Sequence, residues 1–304
     1  VLRPPLDAQR IDLDGMACWM AGCGPPLLLV HSVNAAASAA EVRPVFDAMR
    51  NRFTVMAPDL PGFGSSRRDN VDYTPRLMTD AVLRAAAELC RRCGTEGAAA
   101  LAVSLGCEFV ARAAVEQPAW FSRLALVSPT GMNGNRARRG RPGSTRQVPG
   151  LHPLLRVPLW SQGLFSALTR PAVVRYFLER TWGARHIDEA MWAHAVQTAR
   201  EAGARHAPLA FLAGRLFSAD ITTVYEALAQ PVWMSHGIRG DFVDYRGKAR
   251  FEGRANWRCT VYESGALPYF EDAARFAADL QAFLTAPDVP NVPNVPNVPN
   301  AAGA

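Results

Sequence analysis

Lysine is almost missing from this sequence: Lys248 stands alone among 33 basic residues, and the rest are arginine. The net charge of +6 and the pI near 9.3 therefore express a preference for arginine and need no acidic partner. The dense basic cluster, Arg136, Arg138, Arg139, Arg141 and Arg146, lies among Gly, Pro, Asn and Ser. That setting is a solvated loop, and no nucleic-acid-binding motif accompanies it. Long apolar runs are missing too. The longest compact one, Leu27 to Val30, has strand length and falls far short of the roughly 20 residues that span a bilayer, so no membrane span is expected. Val1 to Leu6 lack the basic and apolar parts of a secretory signal, which makes the cytoplasm the expected compartment. Six cysteines in a chain of 304 residues argue for reduced thiols. The Cys90/Cys93 pair has no second pair at zinc-like spacing, so neither a metal nor a cofactor is expected. Histidine, finally, is absent after His236.

What is present is a chain that is 49% hydrophobic and long enough to bury one large core with an insertion. Ile11–Leu13 and Cys18–Ala21, split by Asp14-Gly15, predict a hairpin. Leu27–Val30, Val55–Pro58, Ala98–Val103 and Leu124–Val127 predict further strands, with helices at Ala40–Arg50, Pro75–Arg92 and Leu105–Glu116 between them. Short apolar runs alternating with helices are the signature of a mostly parallel sheet covered on both faces. The stretch Leu151–Leu228 has helical texture and no strand pattern. Strands then return at Val232–His236 and Thr260–Glu263, and Phe270–Leu284 predicts a closing amphipathic helix. The domain reading is a core of 1–131 and 229–286 and an inserted helical cap of 132–228, with Trp160, Phe165, Phe177, Trp182, Trp192, Phe211 and Phe217 read as cap core more than as substrate contacts, some of them facing the cleft. Val-Pro-Asn recurs four times from Val289 to Asn300, so 287–304 is expected to be a disordered tail.

Strand Ala98–Val103 runs directly into Ser104, and helix-compatible sequence begins at once. A serine on so tight a turn exposes its hydroxyl, and the next amide, at a helix N-terminus, points at a developing oxyanion. Only small neighbours fit there, and Ala102 and Gly106 supply them, with alanine in place of the first glycine of G-x-S-x-G.

With Leu28-Leu29-Val30-His31, Ala57-Pro58-Asp59-Leu60-Pro61-Gly62-Phe63-Gly64-Ser65-Ser66 and Val103-Ser104-Leu105-Gly106 in this order, the chain from about Ile11 to Leu284 resembles the α/β-hydrolase superfamily. The capped esterase, carbon-carbon hydrolase and epoxide-hydrolase branch is the nearest type. Pro231-Val232-Trp233-Met234-Ser235-His236-Gly237 and Gly265-Ala266-Leu267-Pro268 extend the match. The resemblance implies an α/β fold with a mostly parallel eight-stranded sheet and a small-molecule ligand in a cleft under the cap. A serine at position 104 points away from the carboxylate-nucleophile chemistries of that branch.

The resemblance also implies roles. Val33, after His31-Ser32, and Leu105 would supply the oxyanion amides, with Ser32 standing where glycine is usual. His31 reads as a residue bracing its loop, and Asp59 with its glycines as a tight turn. The acid belongs a few residues after His236-Gly237, where the usual spacing falls on Gly240. Asp241 is the first choice and Asp244 the alternative. The base should follow Gly265, and that position holds Ala266. The expected function is hydrolysis of an ester or similar carbonyl substrate at Ser104 with impaired catalysis. The alternatives are a base from His236 or from His152, His186, His194 or His206 in the cap, or a ligand-binding pseudoenzyme. Tyr269 has too high a resting pKa to serve as base. The oligomeric state is not written in the sequence.

Overall fold

The computed structural model describes residues 2–287; the Val-Pro-Asn repeats lie outside them. Eight strands form one sheet in the order β1-β2-β4-β3-β5-β6-β7-β8. They are β1 (Gln9–Leu13), β2 (Met16–Ala21), β3 (Pro26–Val30), β4 (Thr54–Pro58), β5 (Ala98–Val103), β6 (Phe121–Val127), β7 (Val232–Gly237) and β8 (Trp257–Tyr262). The first two form the hairpin, with Asp14 and Gly15 both at positive φ as a two-residue turn requires. β2 pairs antiparallel with β4, and every later pairing is parallel.

Parallel strands are buried on both faces, and β5, Ala-Ala-Ala-Leu-Ala-Val, is buried at all six positions. Its side chains alternate between two cores: Ala98, Ala100 and Ala102 pack with Leu28 and Val30 on one face, Ala99, Leu101 and Val103 with Leu27 and Leu29 on the other. Helices α2 (Pro75–Cys93) and α3 (Gly106–Glu116) cover the first face. α1 (Arg43–Met49) and the closing pair α10 (Pro268–Glu271) and α11 (Ala273–Leu284) cover the second. The start of α2 is built by a Thr74 side chain that accepts from the Leu77 amide and by Pro75 at the first turn; Gly94 in the left-handed conformation ends it. The helix expected over Ala40–Arg50 is a 3₁₀ turn, Ala39–Val42, followed by α1, with Pro44 in the first turn of α1.

Between β6 and β7 stand six helices: α4 (Leu151–Leu155), α5 (Pro158–Leu168), α6 (Pro171–Trp182), α7 (Glu189–Thr198), α8 (His206–Leu212) and α9 (Ile221–Glu226). Phe165 and Trp182 are buried as cap core, but Trp160 is 42% and Phe177 57% exposed, so these two are not part of that core. The arginine-rich segment is strapped to the chain before β7 by a bridge between Thr145 and Ser218 and by amide bonds from Gly140 to Ala219 and from Arg146 to Phe217. No helix among the described residues is long and apolar enough to cross a membrane.

Candidate active site

Ser104 leaves β5 with φ +52°, a left-handed conformation that costs a non-glycine residue of order 1 kcal/mol or more. The turn is held by the Ser104 amide, which donates to the Val127 carbonyl at 2.8 Å, and by the Ser104 carbonyl, which accepts from the Cys107 amide at 3.1 Å. A Cβ on Gly106 would lie 2.5 Å from the His31 carbonyl oxygen. Only glycine there lets α3 begin against the loop that follows β3. The Ser104 side chain is partly exposed and has no hydrogen bond among the described residues. The amides of Val33 and Leu105 likewise donate to no acceptor among them.

The loop after β3 is braced from below. His31 is fully buried; its Nε2 accepts from the Leu60 amide at 2.9 Å, so its Nδ1 carries the proton and donates to the Ser32 carbonyl at 2.5 Å. Burial holds its pKa below the usual histidine value. Ser32 is gripped by Glu41, whose buried carboxylate accepts from the Ser32 amide at 2.5 Å and the Ser32 hydroxyl at 2.7 Å. Burial pushes the Glu41 carboxyl above its ordinary range. Asp59 spends its carboxylate on Ala39 and Ser65 amides at 2.7 and 2.8 Å and on the Trp19 indole at 3.1 Å, which leaves it the work of holding a turn.

The loops where the acid and base were expected are occupied differently. Asp241 is 42% exposed and pairs with Arg180 at 2.6 Å. Asp244 accepts from the Gly134 amide at 3.0 Å and pairs with Arg246 at 2.8 Å, and the Arg246 guanidinium holds its carboxyl well below the usual carboxylate range. Neither carboxylate meets a histidine. Ala266 is 5% exposed. Its amide donates to the Thr181 carbonyl at 2.9 Å and its carbonyl accepts from the Ser128 hydroxyl at 2.6 Å. The last turn of α6 thus sits on both loops, since the Asp241 amide also donates to the Arg180 carbonyl at 3.1 Å. Side chains would prevent this approach: a Cβ on Gly240 would collide with the Arg180 carbonyl and one on Gly265 with the Trp182 carbonyl.

None of the remaining histidines hydrogen-bonds Ser104. His236 donates through Nδ1 to the Gly237 carbonyl at 2.8 Å, has Lys248 Nζ 3.2 Å from Nε2 and stacks on Tyr245 with ring centroids 4.1 Å apart. His152 meets Arg215 at 2.6 Å, and His186 is exposed. His206 is half-buried at the start of α8. His194, on α7, is buried with its Nε2 unpartnered, and burial lowers its pKa. Tyr269 is buried with an unpartnered hydroxyl, and burial, with Glu41 nearby, raises its pKa well above 10. Sequence reasoning missed Glu41, which stands in an alanine-rich run with no motif around it, and the contacts of Arg180 and Thr181, which only packing reveals.

This strand order, with helices on both faces and a strand-turn-helix at β5 and α3, is that of the α/β-hydrolase fold, and the comparisons agree. Residues 25–153 match the family model of the α/β hydrolase fold. The chain is similar in structure to 2-hydroxy-6-oxo-6-phenylhexa-2,4-dienoate hydrolase from Rhodococcus sp. strain RHA1, with TM-score 0.69 and 20% identity over 89% of this chain and 95% of that one. It is also similar to a probable hydrolytic enzyme of Pseudomonas aeruginosa, with TM-score 0.68 and 17% identity over 91% and 93% of the two chains. Among curated sequences it is 30% identical over 132 residues to uncharacterized proteins of Mycobacterium tuberculosis and Mycobacterium bovis; this covers 43% of the chain and 37% of their length. The match thus spans little more than a third of those relatives. The protein has the α/β-hydrolase fold.

Proposed function

We propose that the protein is a serine-type hydrolase that engages an ester or similar carbonyl compound at Ser104 in a cleft under the helical cap, with acyl transfer impaired by the missing base. The observation that carries this reading is the elbow: Ser104 at φ +52°, with its hydroxyl and the Val33 and Leu105 amides unengaged among the described residues. In this reading the Ser104 oxygen bonds to the carbonyl carbon, the carbonyl electron pair moves onto oxygen, and the two amides stabilise the resulting charge; as the C=O bond re-forms, the ester C–O bond breaks and the alcohol leaves with a proton taken from water. The serine proton has no imidazole to receive it and must leave to water. Losing the histidine from a serine triad costs about 10⁶-fold and leaves roughly 10³- to 10⁴-fold over water. The expected behaviour is slow acylation and little turnover. Incubation with a fluorophosphonate probe and with p-nitrophenyl esters tests it: labelling and ester cleavage that Ser104→Ala abolishes support the proposal, and no Ser104-dependent reaction above background overturns it.

A second reading is a pseudoenzyme that binds a ligand without cleaving it. What favours it is the last turn of α6, which is seated on the loops of Asp241 and Ala266 through the Arg180 and Thr181 carbonyls. Ser104-dependent turnover through many cycles per molecule rules this reading out.

A further inference from the structure

We infer that the helical insert carries a second ligand site, a cavity that binds a small amphipathic anion, a carboxylate or phosphomonoester on an apolar body, apart from Ser104. The inference goes beyond the proposed reaction and does not depend on it. A cavity of about 380 Å³ lies between α5 and the chain that follows α7, within the range of small-molecule sites. Ser104, Val33 and Leu105 are not among its lining residues.

Its floor and rim differ in chemistry. Phe165, Ala199 and Ala204 line it and form a small buried cluster of their own, so its floor presents apolar edges and no polar side chain from these three. Arg170, Arg200 and Arg205 line it as well, against the single carboxylate of Glu201. Arg205 donates to Gln162 at 2.8 Å. Arg170 and Arg200 make no ion pair and no side-chain hydrogen bond among the described residues, so their planar forks are available to a carboxylate or phosphate. The setting reinforces this. Thirteen arginines and six acidic residues give 132–228 a charge of +7, while 20 basic and 21 acidic residues leave the rest of the chain at −1. An anion is drawn to the insert, and at this cavity it meets two of the insert's unpaired guanidinium groups, Arg170 and Arg200.

The cluster beneath the cavity packs on Ala35 and Ala36, and the Thr198 hydroxyl, which donates to the Ala195 carbonyl at 2.9 Å, lies 3.4 Å from the Ala36 carbonyl. A ligand here therefore rests on the wall that separates it from the loop of Val33.

Calorimetric titration of the full chain with octanoate, octyl phosphate and 1-octanol tests the site. Saturable binding of either anion at least tenfold tighter than octanol supports it, and the tighter of the two identifies the headgroup. Arg170→Gln with Arg200→Gln should weaken anion binding at least tenfold and Glu201→Gln should tighten it several-fold. Ser166→Trp, at the exposed rim, should block binding, while Ser104→Ala should leave it unchanged. All the substituted rim positions are exposed, and an unchanged melting profile shows that each variant folds. Octanol binding as tightly as the anions, or undiminished anion binding in the double arginine variant, overturns the proposal. Because no readout involves ester cleavage, failure here is distinct from failure of the reaction at Ser104.

Discussion

The Ala266 amide donates to the Thr181 carbonyl at 2.9 Å, so the end of α6 rests on the residue that stands in the base position. One residue earlier on that helix, the Arg180 carbonyl takes the Asp241 amide at 3.1 Å. The two loops from which the fold would draw an acid and a base are bridged by one helical turn, and Gly240 and Gly265 are the residues that let its backbone in. The loops of Asp241 and Ala266 are thus held in one packing arrangement.

That arrangement predicts a stability cost at Gly240. Gly240→Ala would place a methyl group against the Arg180 carbonyl at φ +89°, strained both in backbone and in contact. We expect a loss of about 2 kcal/mol or more, read as a lowered urea midpoint. A change below about 0.5 kcal/mol, the range of ordinary surface substitutions, would show that the turn of α6 gives way freely.

Ala266→His tests whether the arrangement also excludes catalysis. The position is buried and pinned on both sides, so an imidazole overpacks it at a cost of about 1–3 kcal/mol. With Asp241 committed to Arg180, the new ring finds no acid. The expected gain in Ser104-dependent ester cleavage is below about 10²-fold, the lower end of what a positioned base supplies. A gain above about 10³-fold would mean that the imidazole reaches Ser104 in spite of α6.

Much of the fold was legible because it rests on local signals. The Ala98–Val103 run followed by Ser104 and Gly106 is a strand, a turn and a helix written in consecutive residues, and β5 and α3 fall there. The hairpin was announced by Asp14-Gly15. His31 was readable as a brace, although its partner Leu60 was not, since the two are 29 residues apart. The same limit hid Glu41. It lay in no motif, and its carboxylate matters only because folding buries it against Ser32. The aromatics of the insert were legible only in part for a related reason: composition told that Trp160 and Phe177 are as large and apolar as Phe165 and Trp182, but not which of the four packing would bury.

Glu41 should bear on both stability and reactivity. Glu41→Ala strips acceptors from the Ser32 amide and hydroxyl in a buried place, and each orphaned donor costs about 1–3 kcal/mol. We expect a loss of about 2–4 kcal/mol by denaturant titration, with a smaller loss for Glu41→Gln, whose amide oxygen still accepts one bond. If Val33 serves the oxyanion, fluorophosphonate labelling of Ser104 should also slow in both variants under native conditions. Labelling unchanged in a destabilised Glu41→Ala would separate the brace from the oxyanion role.

Acid should destabilise the protein through His31, with Glu41 opposing it. The folded pKa of His31 lies below the ordinary value of 6.5, so the neutral ring contributes its stability above that value. As pH falls below 6.5 the unfolded chain takes up a proton that the fold refuses, and stability drops by about 1.4 kcal/mol per pH unit for such a group until the folded pKa is reached. Protonation of Nε2 then also deprives the Leu60 amide of its acceptor. Glu41 runs the other way: its folded pKa lies above 4.5, so its contribution is complete below that value and declines as pH rises through the folded pKa. Stability measured by urea titration at steps from pH 7.5 to 4.5 should therefore fall toward acid. The fall should be shallower in His31→Gln, which has no group to protonate there, and steeper in Glu41→Gln, which loses the opposing carboxyl. His194 and His236, with pKa values also lowered by burial, add to the acid limb in every variant. The difference between variants isolates His31, and an acid limb of equal slope in His31→Gln and the parent chain would remove it from this role.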